Sequence, residues 1–390
     1  MNEPISIVLA SEAPKHYSTT LRGTRPLDVL KKKGLVNYAV HNFVPGDDNL
    51  YANLENCDLI FAVNNANEAW NALYAAARDV GKTVILDLDD NLWDVHPFNM
   101  AFETMGTYEA KCNEVDTGRV IELWTHGSEG FNLNKNRRNI HAIEETVNLA
   151  NAMTTTTERL ATVLAVHNPR TLVLPNTVDL SIWNPYRMPK PGFRIGWQGS
   201  QSHVPDMIHA APQIAEFVRR HEDVTLFVAG AHLKSLIDAI PPEQIELQKW
   251  APTEAYPFML QCAALDVGLA PLVDNRFNRT KSSIKWMEYG AMQVPTIASN
   301  YPPYSDSIHD KADGWLVEDG EWLDTLERLY ADRQEIKRVG WNVRERVTAE
   351  FDIEKRAIEW YEAFRMIMNE CGGKRKPPRY CLSLGGRRSK

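Results

Sequence analysis

A chain of 390 residues is too long for one ordinary hydrophobic core and implies two. Hydrophobic residues at 44%, charged residues at 24% and a net charge of −8 describe a globular protein rather than a fibrous or disordered one. No run of about 18 apolar residues occurs, which excludes a membrane-spanning helix on length, and MNEPISIVLASEAPKHY lacks the basic start and long apolar run of a signal peptide.

In chain order, strands are expected at ISIVLA (5–10), LVNYAV (35–40), DLIFAV (58–63), TVILDL (83–88), AMTTT (152–156) and TLVLP (171–175). Helical patterns fall between most of them; NEAWNALYAAARDVG ends on a glycine suited to a helix C-cap. Residues 95–150, with the aperiodic WTHGSEGFNLNKNRRN, are expected to form loops and helices over the sheet. The Pro-rich DLSIWNPYRMPKPG reads as a linker. Strands then recur at FRIGW (193–197), VTLFVAG (224–230), IELQKW (245–250), VGLAPL (267–272), VPTIAS (294–299) and GWLVE (314–318), before helices at 321–332, 333–350 and 353–370. Alternating strand and helix implies parallel sheets. The expected organisation is a first domain over 1–178, a linker over 179–192, a second domain over 193–352, a helix over 353–371 and a tail over 372–390.

That tail is rich in Lys and Arg and holds no acid. A solvated, unstructured end is the simpler reading, and contact with nucleic acid or another polyanion the sharper one. The five cysteines are scattered, odd in number and without metal-type spacing, which fits free thiols in a reducing cytoplasm.

Ligands of parallel sheets bind beyond the carboxyl ends of the strands, so a cleft between two such domains is the expected site. In NRTKSSIKWMEYGAMQ (278–293), a helix starting at Lys281 would place Lys281, Lys285 and Glu288 within about 60° of one another. Ile284, Met287 and Ala291 would form a separate apolar stripe, and Thr280, Ser282 and Ser283 would offer hydroxyls at the start. A helix start with ammonium groups suits a diphosphate, and a carboxylate two turns on suits a ribose diol. A surface Lys285–Glu288 pair is the plain alternative. In GWQGSQSH, Gly196 and Gly199 allow close approach of a ligand, Ser200 and His203 offer donors, and the following helix is expected to begin near His203 to Asp206; an ordinary βα turn is the plain alternative. Asp87, Asp89 and Asp90 in ILDLDDNLWD invite a metal reading, but they end a strand of the first domain. There Asp89 or Asp90 either orients an acceptor hydroxyl or serves only a turn. Arg22 and Arg25 sit in the loop after the first strand, Thr155 and Glu158 have capping-box spacing, and Asn176 and Asp179 suit a hinge turn.

The order FRIGWQGSQSH, VTLFVAG, DVGLAPLVDNRFNRTKSSIKWMEYGAMQVPTIAS, GWLVED resembles the donor-binding domain of family 4-type glycosyltransferases of the GT-B fold. VLPNTVDLSIW is similar to the segment with which those enzymes leave their first domain, and DLDDNLW and KSSIKWMEYGA resemble the bacterial and bacteriophage branch. The resemblance implies an α/β fold of two Rossmann-like domains facing across a cleft, the last helix crossing back to the first. It implies transfer of a sugar from a nucleoside-diphosphate donor to a glycan, lipid or protein acceptor, with retention and without a metal or other cofactor. Glu288 matches the family's ribose-binding glutamate, whereas its partner seven residues earlier falls on Thr280. The family's usual Arg and Lys for the diphosphate are not evident in QGSQSHVPD, which assigns that task to Lys281 with Arg279 or Lys285. Arg22 and Arg25 fall on the acceptor side, and His126 in THGSEG is placed as an active-site histidine. Two alternatives remain open: transfer to modified bases of phage DNA, and a sugar-nucleotide epimerase or non-catalytic binding protein.

Overall fold

The computed structural model describes residues 3–42, 47–113, 120–128, 130–186 and 188–371; the basic tail over 372–390 lies outside the described residues. The apolar runs of the first half form β1 (Ile5–Ala10), β2 (Val36–His41), β3 (Leu59–Val63), β4 (Thr83–Asp87), β7 (Ala152–Thr155) and β8 (Thr171–Val173), with β5 (Ala110–Asn113) and β6 (Val120–Trp124) between β4 and β7. Six of them make one sheet in the order β2-β1-β3-β4-β7-β8, every neighbouring pair parallel. β3 and β4 are buried along their whole length, which is why they read as unbroken apolar runs rather than alternating ones.

The second half forms β9 (Phe193–Gly199), β10 (Val224–Gly230), β11 (Ile245–Gln248), β12 (Val267–Ala270), β13 (Thr296–Ser299) and β14 (Trp315–Val317). They assemble in the order β11-β10-β9-β12-β13-β14, again all parallel. In each sheet the strand order reverses beside the first strand, at β1/β3 and at β9/β12, and loops leaving the carboxyl ends diverge there to open a crevice.

Each sheet is covered on both faces. In the first, the helices Arg25–Lys32 and Ile353–Cys371 lie on one side and Glu68–Asp79 and Leu133–Leu149 on the other. The helix Ile353–Cys371 therefore returns from the end of the chain to the first sheet, burying Trp360 and Phe364 completely. Burial of side chains this large is worth about 1.5–3 kcal/mol each. The two passages between the sheets run side by side: Val178 N donates to Phe351 O at 2.8 Å and Ile353 N to Val178 O at 3.0 Å.

Three local readings are corrected. The stretch 95–150 includes an antiparallel hairpin, β5 with β6, ahead of the helix Leu133–Leu149. It is organised by a separate cluster of Phe102, Phe131 and Phe277, the last contributed by the second half of the chain. The helix Glu158–Leu164 is capped by Thr157, whose Oγ1 accepts from Leu160 N at 3.1 Å, not by the Thr155–Glu158 pair; Thr155 lies in β7. The loop after β9 continues as a 3-10 turn over Gln201–Met207, and the α-helix starts only at Ala211. Among the described residues, no helix is long and apolar enough to cross a membrane.

Candidate active site

The carboxyl ends of β1, β4, β9, β11, β12 and β13 all deliver loops to one cavity of about 370 Å³ between the two sheets. His16, Tyr17 and Ser18 follow β1, Asp89 and Asp90 follow β4, and Gly199, Ser200 and His203 end or follow β9. Trp250, Thr253 and Tyr256 follow β11, and Lys281, Lys285 and Glu288 follow β12.

The segment after β12 is built differently from the expected continuous helix. Asn278–Thr280 form a 3-10 turn, Lys281 is extended at φ −64° and ψ 166°, and the α-helix runs only over Ile284–Ala291. The break has a local cause. The Thr280 hydroxyl donates to Phe277 O at 2.8 Å, and Ser282 Oγ accepts from Asn176 Nδ2 at 2.8 Å, so neither hydroxyl caps the helix. Ser283, at the N-cap, makes no side-chain capping hydrogen bond either, so among the described residues the first-turn N–H groups remain uncapped. Lys281 nevertheless lines the cavity together with Lys285 and Glu288.

The charges in the cavity are unequally engaged. Lys281 Nζ lies 2.9 Å from Asp90 Oδ1 and 4.4 Å from the Phe277 ring centroid. Asp90 is raised by burial, with the Lys281 ammonium opposing that shift. Lys285 is buried, lines the cavity and has no hydrogen-bonding partner for its ammonium among the described residues. Burial pulls it down to about 8, against the pull of Asp206. Glu288, only 2% exposed, accepts from Tyr256 Oη at 2.9 Å and from the Tyr17 hydroxyl. Burial pushes this carboxyl up to about 7, and the two tyrosine hydrogen bonds hold it back.

On the opposite wall, a side chain at Gly199 would stand 2.8 Å from the Trp197 ring and 3.0 Å from His203 Cβ, so any larger residue there would have to displace the Trp197 ring. Gly196 instead faces the Leu265 side chain and leaves no room for a ligand. His203 Nδ1 lies 3.1 Å from Asp206 Oδ2. A carboxylate only accepts, so Nδ1 carries the proton and the neutral ring keeps Nε2 as an acceptor rather than the expected donor. Burial and the nearby Lys285 charge lower His203 to about 4, which keeps it neutral at pH 7. Ser200 Oγ lies 2.8 Å from Ser202 Oγ.

Of the residues assigned catalytic, donor or acceptor roles from the sequence, Asp89, Asp90, Gly199, Ser200, His203, Lys281, Lys285 and Glu288 line this cavity, and Arg22, Arg25, His126, Arg279 and Thr280 do not. Arg22 is fully buried and paired with Asp87 at 2.7 Å, not exposed on an acceptor face. Arg25 opens the helix Arg25–Lys32 and does not line the cavity, although its charge acts on Tyr17 and Glu288. His126 is exposed on the β5–β6 side, where its Nδ1 accepts from Leu133 N at 3.2 Å. Arg279 is engaged by both oxygens of Asp274, and Thr280 lines a separate groove. Tyr17 and Tyr256 were not anticipated, although the strand-end rule applied to β1 and β11 would have pointed to them, and Asn176, expected only to fix a hinge turn, also lines the cavity. Asp89 accepts from Asn64 Nδ2 at 2.9 Å. Among the described residues, no group of three or more His, Cys, Asp or Glu side chains is placed to hold a metal ion.

Residues 194–332 match the family described as Glycosyl transferases group 1. No curated protein matches the chain in sequence. Among solved structures it is similar to sucrose-phosphate synthase from Thermosynechococcus elongatus, at 13% identity and a TM-score of 0.63, over 95% of this chain and 100% of that one. It is similar to HepE from Anabaena, solved with UDP-glucose, at 13% identity and a TM-score of 0.61, over 92% and 99% of the two chains. TarM matches at 13% identity and a TM-score of 0.51 over 78% of this chain and 54% of TarM. At such identities these likenesses show the fold, a GT-B arrangement of two parallel sheets. The group 1 match over residues 194–332 and the GT-B fold together support a glycosyltransferase.

Proposed function

We propose that the chain transfers a sugar from a nucleoside diphosphate to a hydroxyl acceptor, a glycan, lipid or protein, with retention at the anomeric carbon and without a metal. The observation that carries this reading is the trio after β12: an extended Lys281, a buried Lys285 with an unpartnered ammonium, and a buried Glu288 further along the helix. The diphosphate lies against the two ammonium groups and the first-turn N–H groups, and Glu288 accepts from the ribose hydroxyls. As the glycosidic bond to phosphate breaks, its electron pair leaves on the diphosphate, and the two lysines, Lys281 having already exchanged Asp90 for the donor, hold that charge. The acceptor oxygen forms the new bond to the anomeric carbon, and its proton passes to a leaving phosphate oxygen. Asp90 orients that hydroxyl once Lys281 turns to the donor. HepE, of the same fold, was solved with UDP-glucose, which makes a uridine nucleotide the first donor to try.

The test is a thermal-shift screen of UDP-, GDP-, ADP- and dTDP-sugars on the wild type, Lys281→Ala and Glu288→Ala. One donor is expected to stabilise the wild type, and both substitutions to remove that shift. Transfer is expected to persist in EDTA. Variants that bind the donor unchanged would refute the site.

A further inference from the structure

The chain neighbours of the Asp90–Lys281 pair, Asn91 and Thr280, line a second opening of about 670 Å³ between the two halves of the molecule. Its walls carry three arginines, Arg159 from the helix Glu158–Leu164 and Arg276 and Arg279 from the loop after β12, against the single carboxylate of Asp94. Arg159 and Arg279 are held by the carboxylates of Asp306 and Asp274, both half-exposed pairs of the kind that water and mobile anions readily replace. The charge of Arg279 is felt at Arg159, so the guanidinium groups share one field. Arg276 is exposed and has no ionic partner among the described residues. The two halves are tied at Thr280 by the Thr157 hydroxyl, which donates to Thr280 O at 2.9 Å.

A planar guanidinium fork matches a phosphate or carboxylate bidentately, which no neutral sugar hydroxyl can do. We infer that this groove is the acceptor site, and that the acceptor is a sugar or polyol bearing a phosphate or carboxylate, held by Arg276 between Arg159 and Arg279. The inference rests on the reading of the neighbouring cavity as the donor site, since it makes Asp90 the point where the two ligands meet. A groove of this volume suits a few sugar or polyol units and not a nucleic acid duplex.

The test is calorimetric titration of the full chain with glucose 6-phosphate, glucuronate and, as the neutral control, glucose. Both anions are expected to bind saturably and glucose not to bind. Arg276→Glu is expected to weaken both anions at least tenfold, and Arg159→Ala to weaken them severalfold. The nucleotide-sugar thermal shift is expected to be the same in Arg276→Glu as in the wild type. Absence of anion binding, equal binding of glucose, or unchanged affinity in Arg276→Glu would each sink the inference. So would loss of anion binding in Lys281→Ala with retention in Arg276→Glu, because the anion would then sit in the donor cavity. A missing donor shift in the wild type would instead refute the donor reading and with it the acceptor role, while the anion titration would still decide whether the groove binds an anionic sugar.

Discussion

One short stretch, ILDLDD, supplies two aspartates that each meet a basic side chain, and the two pairs behave as opposites. Asp87 and Arg22 are both 0% exposed, joined by Nη2–Oδ2 at 2.7 Å and Nε–Oδ1 at 3.1 Å. Every remaining need is met: Thr154 donates to Asp87 at 2.6 Å, Arg22 reaches Asn176 at 3.3 Å and the Leu174 carbonyl, and Trp360 covers the guanidinium at 5.3 Å. Asp90 and Lys281 share one contact, remain 37% and 17% exposed, belong to different halves of the chain and face the cavity. The chemistry is nearly the same; the difference lies in burial and in what else is satisfied. A pair closed on all sides fixes loops, whereas a pair with one contact and an open face can exchange its partner for a ligand. The first also sets the second, because Arg22 holds Asn176, and Asn176 holds Ser282 beside Lys281.

The largest effect should come from breaking the closed pair. Arg22→Ala leaves the Asp87 carboxylate buried without its cation, and is expected to cost about 3–5 kcal/mol in urea unfolding. Arg22→Met with Asp87→Leu removes both charges together and is expected to recover most of that loss. A single variant within about 1 kcal/mol of wild type would erase the distinction between the two pairs.

A second effect belongs to the open side. Donor binding needs Glu288 ionised and Lys285 protonated. With Glu288 at about 7 and Lys285 at about 8, affinity should be greatest between those values. It should fall by about tenfold per pH unit well outside them. Glu288→Gln should remove the acid limb, and Lys285→Arg should extend the plateau to higher pH. Stability has its own sign. A folded carboxyl raised above its unfolded value contributes fully below about 4.5, and that contribution is lost as pH rises through about 7. Wild type should therefore lose stability over that interval more than Glu288→Gln does. An affinity profile flat from pH 5 to pH 9 would contradict both assignments.

What the sequence reveals follows from how locally each feature is determined. β3 and β4 are legible because strands buried on both faces must be apolar throughout. Lys285 and Glu288 are legible because helical spacing alone puts them on one face. The true start of that helix is not, since it depends on whether Thr280 and Ser282 spend their hydroxyls on the helix or on Phe277 O and Asn176. The β5–β6 hairpin is hidden for a related reason: its aromatic cluster takes Phe277 from far along the chain. Arg22 reads as a surface residue until Asp87 is brought beside it, and Tyr17 matters only once the first half of the chain approaches Glu288.

The smallest change in stability, and the sharpest use of the comparison, is expected from Asp90→Asn. A part-buried pair with a single contact and an open face contributes little, about 0–1 kcal/mol, so the unfolding midpoint should barely move, in contrast to Arg22→Ala. Freed from Asp90, Lys281 should be more available to the donor diphosphate, and donor affinity should rise a few-fold in the same thermal-shift titration. Transfer should nevertheless fall, because the amide no longer orients the acceptor hydroxyl as the carboxylate does. This combination of unchanged fold, tighter donor and slower transfer separates an exchangeable pair from a structural one. If Asp90→Asn instead destabilised the protein as severely as Arg22→Ala, the two pairs would be one kind of structural bond, and Lys281 would not be free to leave its partner for a ligand.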